Sequence, residues 1–275
     1  MNLNDLTGKK AIVTGAAQGL SYGMAEGLME AGAEVCIMDL NPKAEEVAKA
    51  FCERGFRCSA VVADLSKDGV REDAFQKAVE ALGGHLDILV NGAGVQRRHP
   101  SEEFPLEDWD FVINVNLRSV FALCQLAGQT FLKQGSKGKI VNIASMLAFF
   151  GGYTVPAYAA SKGGVAQLTK ALCNEWAGKG INVNALAPGY MATEMNTALL
   201  DPANPRYEAI TNRIPAGESV FIFAFSRVMS LFFASMISRK ISRVLARRAV
   251  LRWSRYAMYF FATSLRGLRM SSIST

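Results

Sequence analysis

The sequence predicts an α/β fold built on one doubly wound parallel sheet. Three observations carry this. Short β-rich apolar runs alternate with longer amphipathic stretches from about residue 10 to residue 187; the first run ends in a glycine-rich turn that opens a helix; and the second run ends in an aspartate about 20 residues beyond those glycines. The strands fall at Lys10 to Thr14, Glu34 to Asp39, Cys58 to Ala63, Asp87 to Asn91, Lys139 to Ala144 and Ile181 to Ala187, and helices lie between them near 19–32, 43–54, 70–82, 107–134 and 157–178. Right-handed crossovers put such helices on both faces of the sheet, and ligands then bind outside the carboxyl ends of the strands.

A chain of 275 residues, half of them apolar, buries one large core. Its five cysteines show no C-x-x-C pairing, and it has only two histidines, His85 and His99. That usage argues against a disulfide framework and against a structural metal site, so no metal is expected and a reducing compartment fits best. The first residues, Met1 to Thr7, lack a basic stretch leading into an apolar run, so they do not read as a signal peptide and the cytoplasm is the expected location. The net charge of +6 is unevenly placed: residues 219–275 hold nine arginines, one lysine and no acidic residue, a local +10 that leaves −4 for the first 218. Basic character therefore belongs to the tail and gives no reason to expect a nucleic-acid partner.

Directly after the first strand comes Thr14-Gly15-Ala16-Ala17-Gln18-Gly19-Leu20-Ser21, a turn whose backbone N–H groups and helix dipole can face a pyrophosphate. Asp39 at the end of the second strand can accept both hydroxyls of an adenosine ribose and would repel a 2′-phosphate, which favours NAD over NADP; it also fits a helix N-cap before Pro42. Asp64, with Leu65 beside it, ends the third strand and either touches the adenine edge or caps a turn. This is a Rossmann-type reading.

Hydride transfer at a secondary hydroxyl needs a group that gives or takes a proton, and a phenol with a pKa near 10 is a poor base at neutral pH. Tyr158 and Lys162 stand four apart at a helix start, on one face, where the ammonium can stabilise a phenolate. Lowering the phenol by ~2 to 3 units takes about 3 to 4 kcal/mol of differential interaction. Ser145 follows the fifth strand at its carboxyl end, where its hydroxyl can donate to a substrate oxygen.

Thr14-Gly15-x-x-x-Gly19, Asn91-Gly92-Ala93-Gly94 and Tyr158-x-x-x-Lys162, taken together, resemble the short-chain dehydrogenase/reductase family. The resemblance implies NAD-linked oxidoreduction with Tyr158 as acid/base, Lys162 as its activator and nicotinamide-ribose ligand, and Ser145 as oxygen stabiliser. It makes Asn116, in Asn114-Val115-Asn116-Leu117, a proton-relay residue holding a water, against the alternative of a buried amide bonded to backbone. It adds Asn91, Ala93, Gly94, Pro188, Gly189 and Thr193 to the cofactor contacts, and it implies a homo-oligomer, normally a tetramer. Two positions depart from the family pattern: Ser21 stands where glycine is usual and Gly92 where asparagine is usual.

Within the family, segments 94–100, 142–147 and 187–195 resemble the sugar-acid dehydrogenases of gluconate and deoxygluconate type. Arg97 and Arg98, just past the fourth strand, suit the carboxylate of such a small-molecule substrate, unless both are solvated or join subunit contacts; Gln96, Tyr153 and Met191 are further lining candidates. The likeness covers residues 1–217, the dinucleotide-binding catalytic domain. Residues 218–275 form an atypical basic and apolar tail in place of the family's last helix and strand, and the abrupt change resembles a shifted reading frame or an unspliced segment. Alternatives are a membrane-surface helix near 220–237, where Arg227 argues against a spanning one, and a nucleotide-binding remnant without turnover.

Overall fold

The computed structural model describes residues 5–192 together with 201, 203–204, 207–208, 212, 220–221 and 259–261. Strands β1 (Lys10–Thr14), β2 (Glu34–Asp39), β3 (Cys58–Val62), β4 (Ile88–Asn91), β5 (Lys139–Ile143) and β6 (Asn182–Ala187) alternate with helices α1 (Gly19–Glu30), α2 (Lys43–Glu53), α3 (Val70–Ala81), α4 (Leu106–Ile113), α5 (Ser119–Lys133), the short α6 (Leu147–Phe150) and α7 (Pro156–Trp176). The six strands pair in parallel, as the alternation predicts, and their order in the sheet is β3-β2-β1-β4-β5-β6. In this register Thr14 lies beside Met38 and Asn91, and Asn91 beside Asn142, so the carboxyl ends form one rim.

Successive strand residues point to opposite faces, and each face has its own helices. Ile12, Met38 and Leu89 pack against Phe75 of α3, Leu123 and Phe131 of α5 and Val165 of α7. Val13, Val35, Ile37 and Val90 pack against Met24 and Leu28 of α1 and Val47 and Phe51 of α2. Each fully buried side chain of this size contributes roughly 1.5–3 kcal/mol. Pro156 opens α7 in the first turn, where a missing N–H is harmless, and so fixes where Tyr158 stands.

Two features depart from the sequence expectation. The stretch predicted as one helix is α4 and α5 joined by a π-helical turn, Asn114–Arg118. The tail, to which no strand was assigned, supplies the three-residue β9 (Tyr259–Phe261), antiparallel to β6 with Leu186 opposite Phe260. An aromatic triplet favours extended backbone, and the outer edge of β6 offers it a ladder. A second small pairing joins β7 (Met191–Ala192) to β8 (Val220–Phe221). Residues 222–258 and 262–275, and with them the candidate surface helix, lie outside the described residues, as does Thr193.

Candidate active site

The first turn is shaped by close approach. Gly15 has φ +71°, and a Cβ there would stand 2.6 Å from Ala93 Cα and 2.8 Å from Ala93 N, so only glycine lets the β1 and β4 loops meet. The Thr14 hydroxyl oxygen accepts the N–H groups of Gly92 (3.0 Å) and Ala93 (3.1 Å), locking the two loops together. Gln18, at the N-cap of α1, is extended and makes no side-chain cap, which leaves the first-turn N–H groups available for an anion. Asp39 is held by two backbone donors, Ala17 N–H to Oδ2 (3.0 Å) and Asn41 N–H to Oδ1 (2.9 Å).

These loops border a cleft of about 600 Å³ along the carboxyl rim. Of the residues proposed from sequence as cofactor contacts, Gly15, Gln18, Gly19, Leu20, Asp39, Asp64, Leu65, Ala93, Gly94, Tyr158, Lys162, Pro188 and Gly189 line it, and so does Ser145. Thr14 and Asn91 do not. Thr14 is turned into the loop junction, and Asn91, 2% exposed, donates from Nδ2 to Asn142 Oδ1 (2.8 Å) and Cys124 Sγ (3.3 Å) beneath the rim. Asp64 Oδ1 accepts from the Ser66 hydroxyl (2.6 Å) and N–H (3.0 Å), which holds its carboxyl below the usual range. Val95, Phe111, Val115 and the exposed Leu40 also line the cleft; their apolar side chains carry no sequence signal of that role.

At the other end of the cleft Ser145, Tyr158 and Lys162 converge. Ser145 accepts the Leu147 N–H (3.1 Å), and Met146 N–H donates to the Pro188 carbonyl (3.0 Å), which lays the 188–189 loop beside the serine. Lys162, 4% exposed, donates from Nζ to the Ile143 carbonyl (2.7 Å) and sits 5.6 Å from the Tyr158 ring centroid. Burial lowers its ammonium to about 8. From the helix spacing, Lys162 is expected to pull the Tyr158 phenol down. In this structure the phenol is instead raised above its usual 10: burial is the largest cause, the Ser145 hydroxyl bonded to it lowers it, and Tyr190 raises it. The physical reason is that the ammonium is directed at the Ile143 carbonyl and faces the ring, and burial weakens its own charged form.

Asn116 is fully buried in the π-turn. Its Oδ1 accepts Val95 N–H (2.8 Å) and its Nδ2 donates to Val95 O (2.9 Å) and Ser161 Oγ (3.2 Å), the arrangement of a buried amide strapped to backbone. Asn116 Oδ1 and Lys162 Nζ nevertheless meet at Gly94, 3.4 Å and 3.6 Å from where its Cβ would stand.

Gln96, Arg97, Arg98 and Tyr153 do not line the cleft; the first three follow Val95, which does, and Tyr153 is exposed. Arg97 donates from Nε to Asp108 (3.2 Å) and stacks 4.7 Å over the Phe111 ring, while His99 shares the same Asp108 carboxylate (2.7 Å). Arg98 reaches the Tyr153 carbonyl (3.4 Å) and Thr154 Oγ1 (3.3 Å). With the Gln96 amide in its alternative orientation, its oxygen would accept from Arg98 Nη2 (2.7 Å). Both guanidiniums thus have partners within the protein, Arg97 on the nearby helix α4 and Arg98 on the 153–154 turn, some 55 residues away in sequence. Among the described residues no group of His, Cys, Asp and Glu could hold a metal ion.

A doubly wound sheet with a glycine cradle at its first turn and a serine, tyrosine and lysine at its carboxyl rim is the architecture of a nicotinamide-dependent oxidoreductase. The chain belongs to the short chain dehydrogenase family, whose model matches residues 9–204. It is 47% identical over 213 residues, 77% of this chain and 83% of the relative, to a 2-dehydro-3-deoxy-D-gluconate 5-dehydrogenase of Escherichia coli (strain K12). It is 37% identical over 218 residues to a gluconate 5-dehydrogenase of Gluconobacter oxydans (strain 621H), covering 78% of this chain and 84% of that one. A crystal structure of a gluconate 5-dehydrogenase from Burkholderia cenocepacia J2315 in complex with NADP and tartrate superimposes with a TM-score of 0.78 at 37% identity, over 86% of this chain and 92% of the other.

Proposed function

We propose that this chain interconverts a secondary hydroxyl and a ketone on a sugar acid of gluconate or deoxygluconate type, with NAD as its cofactor. The observation that carries the reading is the convergence of Ser145, Tyr158 and Lys162 at one end of a cleft whose other end is bounded by Asp39. The cleft fits a dinucleotide: Gly15, at positive φ, lets the β1 and β4 loops meet where a Cβ would strike Ala93, Gly19 opens α1 at positive φ, and the uncapped first turn of α1 presents N–H groups to phosphate. Gly15, Gln18, Gly19 and Leu20 would hold the pyrophosphate, Asp39 the adenosine ribose, Asp64 and Leu65 the adenine, and Ala93, Gly94, Lys162, Pro188, Gly189 and Thr193 the nicotinamide half. Thr14 and Asn91 shape that surface from behind. When bound, the cofactor supplies the acceptor or donor of the hydride.

The chain's own residues handle the proton. In oxidation the phenolate form of Tyr158 takes the proton of the substrate hydroxyl at Oη, and in reduction the neutral phenol, the form that burial favours, returns it. Ser145 donates to the reacting oxygen and steadies its developing charge. Lys162 binds the nicotinamide ribose and holds positive charge beside the phenol. Asn116 fixes Val95 and Ser161 around Lys162 and so shapes the relay path by which that proton leaves. The anionic carboxylate of the substrate is expected beside Arg97 and Arg98, just past Val95, with Gln96 and Tyr153 near them and Met191 on the cleft lining.

NAD is preferred here because the Asp39 carboxylate is fixed by two backbone donors and would repel a 2′-phosphate. The five free cysteines agree with a reducing, cytoplasmic setting, and a homo-oligomer is the assembly carried over from the family. The test is absorbance at 340 nm with purified full-length protein, a panel of sugar acids, and NAD and NADP in parallel, beside Tyr158→Phe. Turnover with NAD that the variant loses supports the reading. Cofactor binding without turnover would leave a nucleotide-binding remnant, and faster turnover with NADP would overturn the cofactor assignment.

A further inference from the structure

The helical run from Leu106 to Lys133 is interrupted by the π-turn Asn114–Arg118, and three polar side chains leave that turn for three different contacts. Residues four apart share a helix face, and Asn114 and Arg118 both reach the loop between β3 and α3. Asn114 Nδ2 donates to the Ser66 carbonyl at 2.7 Å, and Arg118 pairs with Asp68. Asn116, on the other face, grips Val95 and Ser161 next to Lys162. One turn of helix therefore touches both ends of the cleft.

The loop it holds is the one assigned above to adenosine. Asp64, Leu65 and Ser66 line the cleft below β3, three strands from β4 in the sheet order. Ser66 is fixed from two sides, by Asp64 through its N–H and hydroxyl and by Asn114 through its carbonyl. Arg71, 2% exposed, fixes the neighbouring Leu65 carbonyl from Nη1 (3.2 Å). The second amide atom of Asn114, Oδ1, is buried and has no hydrogen-bond partner among the described residues. A half-buried amide whose buried oxygen is unmet is a poor choice for packing alone, so its value lies in the bond that it does make.

We propose that Asn114 is a positioning residue for the adenosine half of the dinucleotide: through the Ser66 carbonyl it sets the loop that carries Asp64 and Leu65. The proposal rests on the nicotinamide-dinucleotide reading above. Its prediction is a separation of effects along the π-turn, with loss at Asn114 falling on adenosine binding and loss at Asn116 falling on turnover.

The experiment uses the full chain with Asn114→Asp, which keeps the shape and removes the donor, and Asn114→Ala. ADP-ribose is titrated by calorimetry, and kcat and both KM values are measured with NAD and a sugar acid. The expected result is ADP-ribose affinity and NAD KM weakened about fivefold to tenfold, the scale of one lost hydrogen bond, with kcat and sugar-acid KM within about twofold. ADP-ribose affinity within twofold of the unchanged protein overturns the proposal, as does a loss that falls equally on kcat and sugar-acid KM. If the unchanged protein binds no ADP-ribose, the dinucleotide reading itself fails and the proposal falls with it.

Discussion

The hydroxyl of Ser21 lies 2.1 Å from the place where a Cβ on residue 92 would stand, so a serine on α1 occupies the room that a side chain after β4 would need. The two departures from the family pattern, Ser21 and Gly92, are therefore one spatial exchange. A Cβ at 92 would also stand 2.9 Å from the Thr14 carbonyl, so part of the crowding comes from backbone.

Gly92→Ala in the present background should destabilise the protein by about 2 kcal/mol, the usual scale of overpacking, and pairing it with Ser21→Gly should recover about half of that. Chemical denaturation of the two single variants and the double variant measures the coupling. Strict additivity would show that the two positions do not share that space.

Lys162 makes the stability of the cofactor-free protein depend on pH. Its ammonium falls from an ordinary 10.5 to about 8 through burial, so between those values the unfolded chain binds more protons than the folded one. Stability is then lowest below about pH 8, where both states are protonated and the buried charge is fully penalised, and it rises toward 10.5. The whole effect is about 3 kcal/mol. Lys162→Met should be the more stable form near neutral pH, with its advantage shrinking as pH rises, which denaturant midpoints from about pH 7 to about pH 10 would reveal. A pH-independent gap would mean that Lys162 is not penalised by burial.

How much could be read beforehand depended on whether the signal was local. Strands β1 and β2 have the predicted boundaries because each is an apolar run cut off by glycine or aspartate, and Asp39, Tyr158 and Lys162 follow from position on such elements. The π-turn has no local signature: Asn114 to Arg118 continue an amphipathic helix, and the contacts that the turn makes are with Ser66 and Val95 on distant loops and Ser161 on α7. The Tyr158 phenol moves opposite to expectation because helix spacing reveals that a lysine is near, whereas the carbonyl of Ile143 that receives its ammonium is visible only in three dimensions. Thr14 and Asn91 show the same limit, since a motif names residues without saying which side of the rim they face.

Asp39 gives a direct test of cofactor choice. Its carboxylate is pinned by the N–H groups of Ala17 and Asn41, so it cannot swing away from a 2′-phosphate without giving up both bonds. Asp39→Ser should raise the ratio of kcat/KM with NADP to that with NAD on the order of tenfold or more, the effect of removing one facing charge at a partly solvated site. An unchanged ratio would place the discrimination elsewhere along the cleft.

Arg98 laces together the loop after β4 and the 153–154 turn. It bonds the Tyr153 carbonyl and Thr154 Oγ1, and beside it His99 N–H donates to the Thr154 carbonyl (3.2 Å). Thr154 itself holds φ +62°, a conformation that a β-branched residue adopts only when its surroundings enforce it. Removing the guanidinium in Arg98→Ala should let that turn relax, raising sugar-acid KM about tenfold while ADP-ribose affinity, read at the far end of the cleft, stays within about twofold. Steady-state kinetics and calorimetry on the same preparation separate the two. If Arg98 also met the substrate carboxylate, Arg98→Lys would restore little, because an ammonium cannot reproduce bidentate contact; if it only tied the loops, the lysine would recover most of the lost affinity.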